Sequence, residues 1–205
     1  MRVAWALTGG YLLGSVLTAD VVARVASRKQ RKAIDVRAVG SGNPGAANVA
    51  ANVGSVWGAA VLAGDTGKGA LASLLGWGLA GPAGAYAAGA AAVTGHCYPI
   101  FQPRRGGKGV ATSLGTALVL FPIYVPIDVG LAAAAYVRWR HAAFATMAAS
   151  SAFVVATAVW ARFRLPNVCG PRATLGLPLY ALLTSAVIAS RLAGRRQARP
   201  HRPAG

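Results

Sequence analysis

The stretch Gly95–Thr112, GHCYPIFQPRRGGKGVAT, gathers most of the groups in this chain that could do chemistry. It holds His96, the basic side chains of Arg104, Arg105 and Lys108, and the turn Gly106-Gly107-Lys108-Gly109, which opens into an apolar helical segment. Glycines let a backbone turn tightly and come close to a ligand. Free N–H groups at a helix start point at anions, and Lys108 adds a full positive charge. Those residue types in that order suit a phosphate seat. The competing reading is a Gly-rich connector whose basic flanks orient a loop. His96 is a candidate general base; a histidine that caps or orients the loop is an equal reading. No Asp follows it at His-x4-Asp spacing, because residues 97–101 are CYPIF.

Other candidates lie outside this stretch. A second Gly-rich run, VGSGNPGAAN, spans Val39–Asn48. Asp65 and Lys68 are spaced i, i+3 inside an apolar helix, so they share a face and can pair. Ions inside an apolar helix are costly and point to function; a structural pair that pins the helix is the equal alternative. GDTGKG is not a Walker loop, since Leu62 stands where the first Gly is needed and Gly69 where Ser or Thr should bind the metal. A basic loop is expected at Ser27–Arg37; Asp20 could contact it, with a snorkelling structural role as the equal reading, and Asp128, with no basic neighbour in sequence, is assigned no role. No cluster of His, Cys and carboxylates suggests metal, and no cofactor is expected.

The elements that must position these groups are membrane helices. Of the 205 residues, 55% are hydrophobic and 12% charged, against roughly 25% charged in soluble domains. Residues 69–103 and 142–161 carry no Asp, Glu, Lys or Arg, and residues 109–137 carry only Asp128. A membrane-spanning helix needs about 20 mostly apolar residues. The chain therefore reads as an all-α integral membrane protein, a single bundle over residues 1–193. A basic, disordered tail at 194–205 lies against anionic headgroups. The net charge of +17 does not imply nucleic acid, because the basic residues cluster at the ends of apolar runs without aromatic interleaving.

Spans are expected at about Val3–Ala23, Ser55–Ala80, Ala83–Thr94, Ala142–Ala161 and Leu175–Ala189, with Gly81-Pro82 as a turn. Residues 109–137 are long for one helix and short for two, and Pro122 and Pro126 break them. If the chain turns there, 16 of the 21 basic residues fall on one side and 4 on the other; a single crossing gives 12 and 8. The positive-inside rule favours the turn. The result is about seven transmembrane segments, N-terminus outside and C-terminus cytoplasmic, with two short arms that tilt or re-enter. The start resembles a signal peptide but lacks an A-x-A site, so a retained first span is expected. Cys97 and Cys169 fall at opposite ends of spans, which predicts no disulfide. In this topology the run 39–48, the stretch 95–112 and the Arg138–His141 corner share the cytoplasmic face.

Taken together, YLLGS (Tyr11–Ser15), DVRAVGSGNPGAAN (Asp35–Asn48), DTGKG (Asp65–Gly69) and GHCYPIFQPRRGGKGVAT resemble the bacterial acyl-phosphate-dependent glycerol-3-phosphate acyltransferase family. The resemblance runs in order from about residue 11 to 115. It implies a seven-helix inner-membrane protein with its motifs on the cytoplasmic side. It also implies transfer of a fatty acyl group from acyl phosphate to the 1-hydroxyl of glycerol 3-phosphate, giving lysophosphatidic acid and phosphate for phospholipid synthesis. On this reading the partners are those two substrates and membrane lipid, with no cofactor. Lys108, Ser41 and His96 become the catalytic set. Gly40, Gly42, Asn43, Gly45 and Asn48 form one phosphate site with Ser41. Gly106, Gly107 and Gly109 form the other with Lys108, and Asp65 and Lys68 count as further substrate-binding residues. The N–H groups of Gly107 and Gly109 would face the anion, and His96 would order the loop.

The chain departs from the family pattern at Ala47, Ala51, Ala143, Thr184, Val187 and Arg196, where polar or charged groups are expected, and an aromatic before GGKG is replaced by Arg104 or Arg105. Three readings follow: an active acyltransferase; a degenerate homologue that binds a phosphate or headgroup without turnover; and an anion transporter built on Asp65 and Lys68. Transport is the weakest, since no internal repeat is evident.

Overall fold

A computed structural model describes residues 1–103 and 105–197; Arg104 and the tail from residue 198 lie outside the described residues. Among those described, all regular structure is helical: α1 (Arg2–Gly14), α2 (Thr18–Gln30), α3 (Ala46–Asn52), α4 (Ser55–Cys97), α5 (Val110–Leu120), α6 (Val125–Trp139), α7 (Ala142–Arg162) and α8 (Gly176–Gln197).

Helix α4 is two arms folded back on each other. Ala80 (φ −144°, ψ 27°) and Gly81 (φ 61°, ψ −153°) leave helical geometry just before Pro82, the turn expected from Gly81-Pro82. Where the arms meet, a Cβ on Gly76 would strike the Gly84 carbonyl, and the reverse. The second arm carries α1 in the same way: Gly10 lies on the Ala88 backbone, Gly14 on Ala92, and Gly95 on the Tyr11 carbonyl. Gly115 of α5 lies on Thr66 of the first arm. Helices in lipid have no hydrophobic drive toward one another, so small residues that let backbones touch hold them together.

Contacts sort the connections into two ends. At one end Tyr86 Oη donates to the Arg172 carbonyl (3.0 Å), and Asn167 Nδ2 to that of Leu120 (2.8 Å). The α4 hinge, the α5–α6 bend and the 163–175 connector therefore sit together. At the other end Arg37 reaches the Arg105 carbonyl, and Ala143 and Met147 pack against the cluster of Val93, Cys97, Ile188 and Leu192. That end holds the Gly-rich segments and the α6–α7 corner, where His141 Nδ1 caps α7 by accepting from Phe144 N.

Among the described residues, three helices are long and apolar enough to cross a membrane alone: the nearly continuous Arg2–Gln30, Ala142–Arg162 and Gly176–Gly194. Helices α5 and α6 form a pair bent by 120°. They measure about 16 and 22 Å at 1.5 Å per residue, each short of a roughly 30 Å bilayer core. The break is a short 3₁₀ turn, Pro122–Tyr124, whereas Pro126 sits in the first turn of α6, where its missing N–H costs little.

Three expectations need correction. The first span is not one smooth helix; it breaks at Ser15–Leu17, where the Val16 carbonyl accepts from Lys68 and Ser15 Oγ accepts from Ile100 N. The basic segment after it is not all loop: it stays helical to Gln30, ending at Arg31 with φ 51°. Helix α8 runs to Gln197, past the expected start of the tail at 194. Residues 31–54 rest on a small core of Ala19, Val22, Ala23, Val36, Val49 and Val61, built between α2, α3 and the start of α4.

Gly14→Ala and Gly67→Ala separate packing from propensity. Alanine at 14 collides with the Ala92 backbone, whereas nothing lies within 4 Å of the new Cβ at 67. Thermal unfolding in detergent is expected to fall for Gly14→Ala by about 1–3 kcal/mol and to rise for Gly67→Ala by up to about 1 kcal/mol. Shifts of the same sign would contradict this packing.

Candidate active site

The α4 hairpin places Asp65 and Lys68 of its first arm against His96 of its second. Their relative exposures are 2%, 7% and 4%. Lys68 Nζ lies 2.9 Å from Asp65 Oδ1, 2.8 Å from His96 Nδ1 and 2.7 Å from the Val16 carbonyl oxygen. His96 Nδ1 is 3.4 Å from the same Asp65 oxygen. The expected i, i+3 pair is therefore part of a larger cluster that joins α1, α2 and both arms of α4. It sits level with the break in α1–α2 and the last turn of α4, at the end that carries the Gly-rich loops.

His96 lies in the final turn of α4, not in the loop after it. An ammonium donates and cannot accept, so with Lys68 charged His96 Nδ1 is the acceptor and the ring hydrogen belongs on Nε2. Nε2 faces Gly107, where a Cβ would fall on it. In that tautomer the ring offers no free lone pair. The ring lies buried beneath the loop, against Gly107.

The loop above is held by its carbonyls. Gly107 N–H donates to the His96 carbonyl (3.0 Å). Arg191 of α8 donates from Nη2 to the Gly106 carbonyl (2.6 Å) and from Nε to that of Gly107 (3.2 Å). The Gly107 N–H is thus spent inside the protein, contrary to the expectation that it faces an anion. Because the peptide is planar and trans, fixing the Gly107 carbonyl turns the Lys108 N–H the opposite way. Gly109, at φ 84°, starts α5 against Cys97 and Val93. Lys108 stands half-buried between them. Tyr98 adds two ties, accepting from Tyr11 Oη at its carbonyl (2.7 Å) and pairing its hydroxyl with Ser190 Oγ (2.7 Å).

The run 39–48 is organised by Asn48. Its Oδ1 accepts from Ser41 N (2.8 Å) and Ser41 Oγ (3.2 Å); its Nδ2 donates to the carbonyls of Val36 (2.8 Å) and Val39 (3.2 Å). Gly40 and Gly42, at φ 56° and 65°, make the turn around Ser41. Asn43 N–H points at Ser41 Oγ (3.4 Å), and Gly45 caps α3. Arg37 joins this run to the other loop: it pairs with Asp20 (2.5 Å) and donates to the Arg105 carbonyl (2.8 Å). The fold therefore gathers the two loops bearing Ser41 and Lys108 at one end and ties them together.

Sequence reasoning missed Arg37, Arg191 and the Val16 carbonyl. Arg37 is one of six basic residues between 24 and 37, and nothing local marks it as the one that turns inward. The departures form a pattern. Ala143 and Val187 pack beside Val93, Cys97 and Ile188, and Thr184 bonds back to its own helix at the Tyr180 carbonyl (2.9 Å). Apolar packing occupies that wall.

A family model described as glycerol-3-phosphate acyltransferase matches residues 4–196. The chain belongs to the glycerol-3-phosphate acyltransferase family. Relatives bearing that name include one from Desulforudis audaxviator, 40% identical over 149 residues (73% of each chain). One from Rubrobacter xylanophilus is 43% identical over 151 residues, 73% of this chain and 69% of that one. Another, from Halorhodospira halophila, is 39% identical over 180 residues, 87% and 84%. Among solved structures, the fold is similar to PlsY (YgiH), an integral membrane glycerol 3-phosphate acyltransferase. The glycerol 3-phosphate form matches with a TM-score of 0.80 and 26% identity over 96% of this chain and 91% of that one. The lysophosphatidic acid form gives 0.76 and 26% over 95% and 94%. With its apolar helices, this makes the chain a multi-pass membrane protein and an acyltransferase by family. The non-catalytic alternative is not favoured.

A buried ion pair makes a non-additive prediction. Asp65→Leu or Lys68→Met alone strands a charge and is expected to cost about 3–5 kcal/mol. The double variant should cost less than the two single losses added together. Thermal unfolding of the three proteins measures this, and strict additivity would contradict the coupled cluster.

Proposed function

We propose that this protein transfers a fatty acyl group from acyl phosphate to the 1-hydroxyl of glycerol 3-phosphate, releasing lysophosphatidic acid and inorganic phosphate. The observation that carries the reading is the pair of Gly-rich loops, one held by the buried Asn48 and the other by the half-buried Arg191, that present Ser41 and Lys108 at the same end of the bundle. Both substrates carry phosphate, so anion binders matter more than a strong base. The glycerol oxygen attacks the acyl carbonyl carbon, and the bond from that carbon to the phosphate oxygen breaks. The hydroxyl proton passes to a phosphate oxygen of the substrate. No protein base is required.

In this reading Lys108 and the start of α5 at Gly109 hold one phosphate and stabilise the charge that develops on it. Ser41, with the turn from Gly40 to Asn43, holds the other. Asn48 and Gly45 shape that turn, Gly106 and Gly107 shape the Lys108 loop, and Asp65, Lys68 and His96 brace it from below. The chain lies in a bacterial inner membrane in seven segments, N-terminus outside, with both loops and the C-terminus cytoplasmic.

Purified protein given acyl phosphate and glycerol 3-phosphate should form lysophosphatidic acid, and Lys108→Ala should lower kcat by about 10²-fold or more. Equal product from both proteins would sink the role of Lys108, and acyl-CoA serving equally well would sink the donor assignment. For topology, a single cysteine placed in the tail, with Cys97 and Cys169 replaced, should react with an impermeant thiol reagent only from the cytoplasmic side. Labelling from outside would refute the orientation.

A further inference from the structure

The connector between α7 and α8 folds around a cavity of about 730 Å³, within the roughly 300–1,000 Å³ of small-molecule pockets. Arg162, Arg164 and Arg172 line it, and none of the chain's four acidic residues does. Among the described residues no carboxylate pairs with these three; Asp20 and Asp65 make their ion pairs at the other end of the bundle. The backbone that carries the arginines is anchored. Asn167 Nδ2 donates to the carbonyls of Leu120 and Pro171 (2.8 Å each), Trp160 Nε1 to that of Pro166 (3.0 Å) and Tyr86 Oη to that of Arg172 (3.0 Å). Leu165, Ala173 and Leu175 line the same space, so it is apolar as well as cationic. It sits where α7 ends at Arg162 and α8 begins at Gly176. Both are of membrane-crossing length, which puts the cavity at the level of lipid headgroups. The positive-inside bias does not account for it. The proposed topology leaves four basic residues on this side, and three of them line this one cavity.

We propose that this cavity binds an anionic phospholipid, with the headgroup phosphate on Arg162, Arg164 and Arg172 and the glycerol end against Leu165 and Leu175. Guanidinium groups hold phosphate oxygens through paired N–H donors. A zwitterionic headgroup brings an ammonium as well, and that charge meets three cations and no carboxylate. The site therefore selects lipids of net negative charge, such as phosphatidylglycerol. A soluble phosphate shares the anion but has nothing to lay against the leucines. The cavity lies at the opposite end of the bundle from Ser41 and Lys108, so the proposal stands apart from the acyl-transfer reading.

Cys169 of this connector is exposed and Cys97 is buried, so a fluorophore on Cys169 reports the site in the full-length protein. In uncharged detergent, phosphatidylglycerol spin-labelled near its glycerol is expected to quench that fluorophore at about tenfold lower concentration than phosphatidylcholine labelled alike. Arg162→Gln/Arg164→Gln/Arg172→Gln should bring the two lipids level, and each single variant should lose part of the preference. Arg138→Gln/Arg140→Gln, at the other end of the bundle, should keep it whole. If the triple variant does not fold, the three single variants carry the comparison. Equal quenching by the two lipids in the wild-type protein overturns the proposal. So does a preference that survives the arginine substitutions at this end or falls with Arg138 and Arg140. Inorganic phosphate and glycerol 3-phosphate are the competing arm: millimolar amounts of either should leave the quenching in place, and release of the lipid by them would assign the cavity to a free anion instead.

Discussion

Lys68 is the charge on which this architecture turns. An ammonium inside an apolar bundle must be paired and hydrogen-bonded, or its burial becomes prohibitive. Each partner that satisfies it comes from a different part of the chain. Asp65 lies one turn earlier on the same arm, His96 on the returning arm, and the Val16 carbonyl in the gap between α1 and α2. The break in the first span, the α4 hairpin and the height at which the second arm ends are thus linked through one side chain. His96 then passes the constraint upward, because its own carbonyl and its Nε2 edge both meet Gly107.

The glycines complete the same design. Inside the bundle they let backbones touch, as at Gly14 on Ala92 and Gly115 on Thr66. In the loops they make turns that Asn48 and Arg191 fix through hydrogen bonds to the backbone. A site that recognises two phosphates gains from loops already ordered before the ligand arrives, since ordering them on binding would reduce affinity and slow the reaction. The polar groups at this end are therefore mostly occupied with holding shape. Lys108 and Ser41 sit on the rigid frame that results.

Much of this was legible in the chain. Uncharged runs gave the helices, Gly81-Pro82 gave the hinge, the prolines gave the α5–α6 bend, and the i, i+3 spacing of Asp65 and Lys68 gave their pairing. The membership in a glycerol-3-phosphate acyltransferase family was readable in the four motifs taken in order. What remained hidden depends on partners distant in sequence. A break at Ser15–Leu17 has no local cause, because its reason, Lys68, lies 52 residues away. Arg191 reaches loop carbonyls 84 and 85 residues earlier. The Gly107 N–H was misassigned because a GGKG turn suggests free donors, whereas here that one is consumed by the helix end beneath it.

Hydrogen exchange at the amides of residues 105–110, compared between the wild-type protein and Lys68→Met in the same detergent, tests the central claim most directly. If the buried cluster braces the phosphate loop, the substitution will release protection at Gly107 and its neighbours while α7, which makes no contact with Lys68 among the bonds described, keeps its own. Unchanged protection across 105–110 would contradict the account, because the loop would then hold its shape without the charge beneath it.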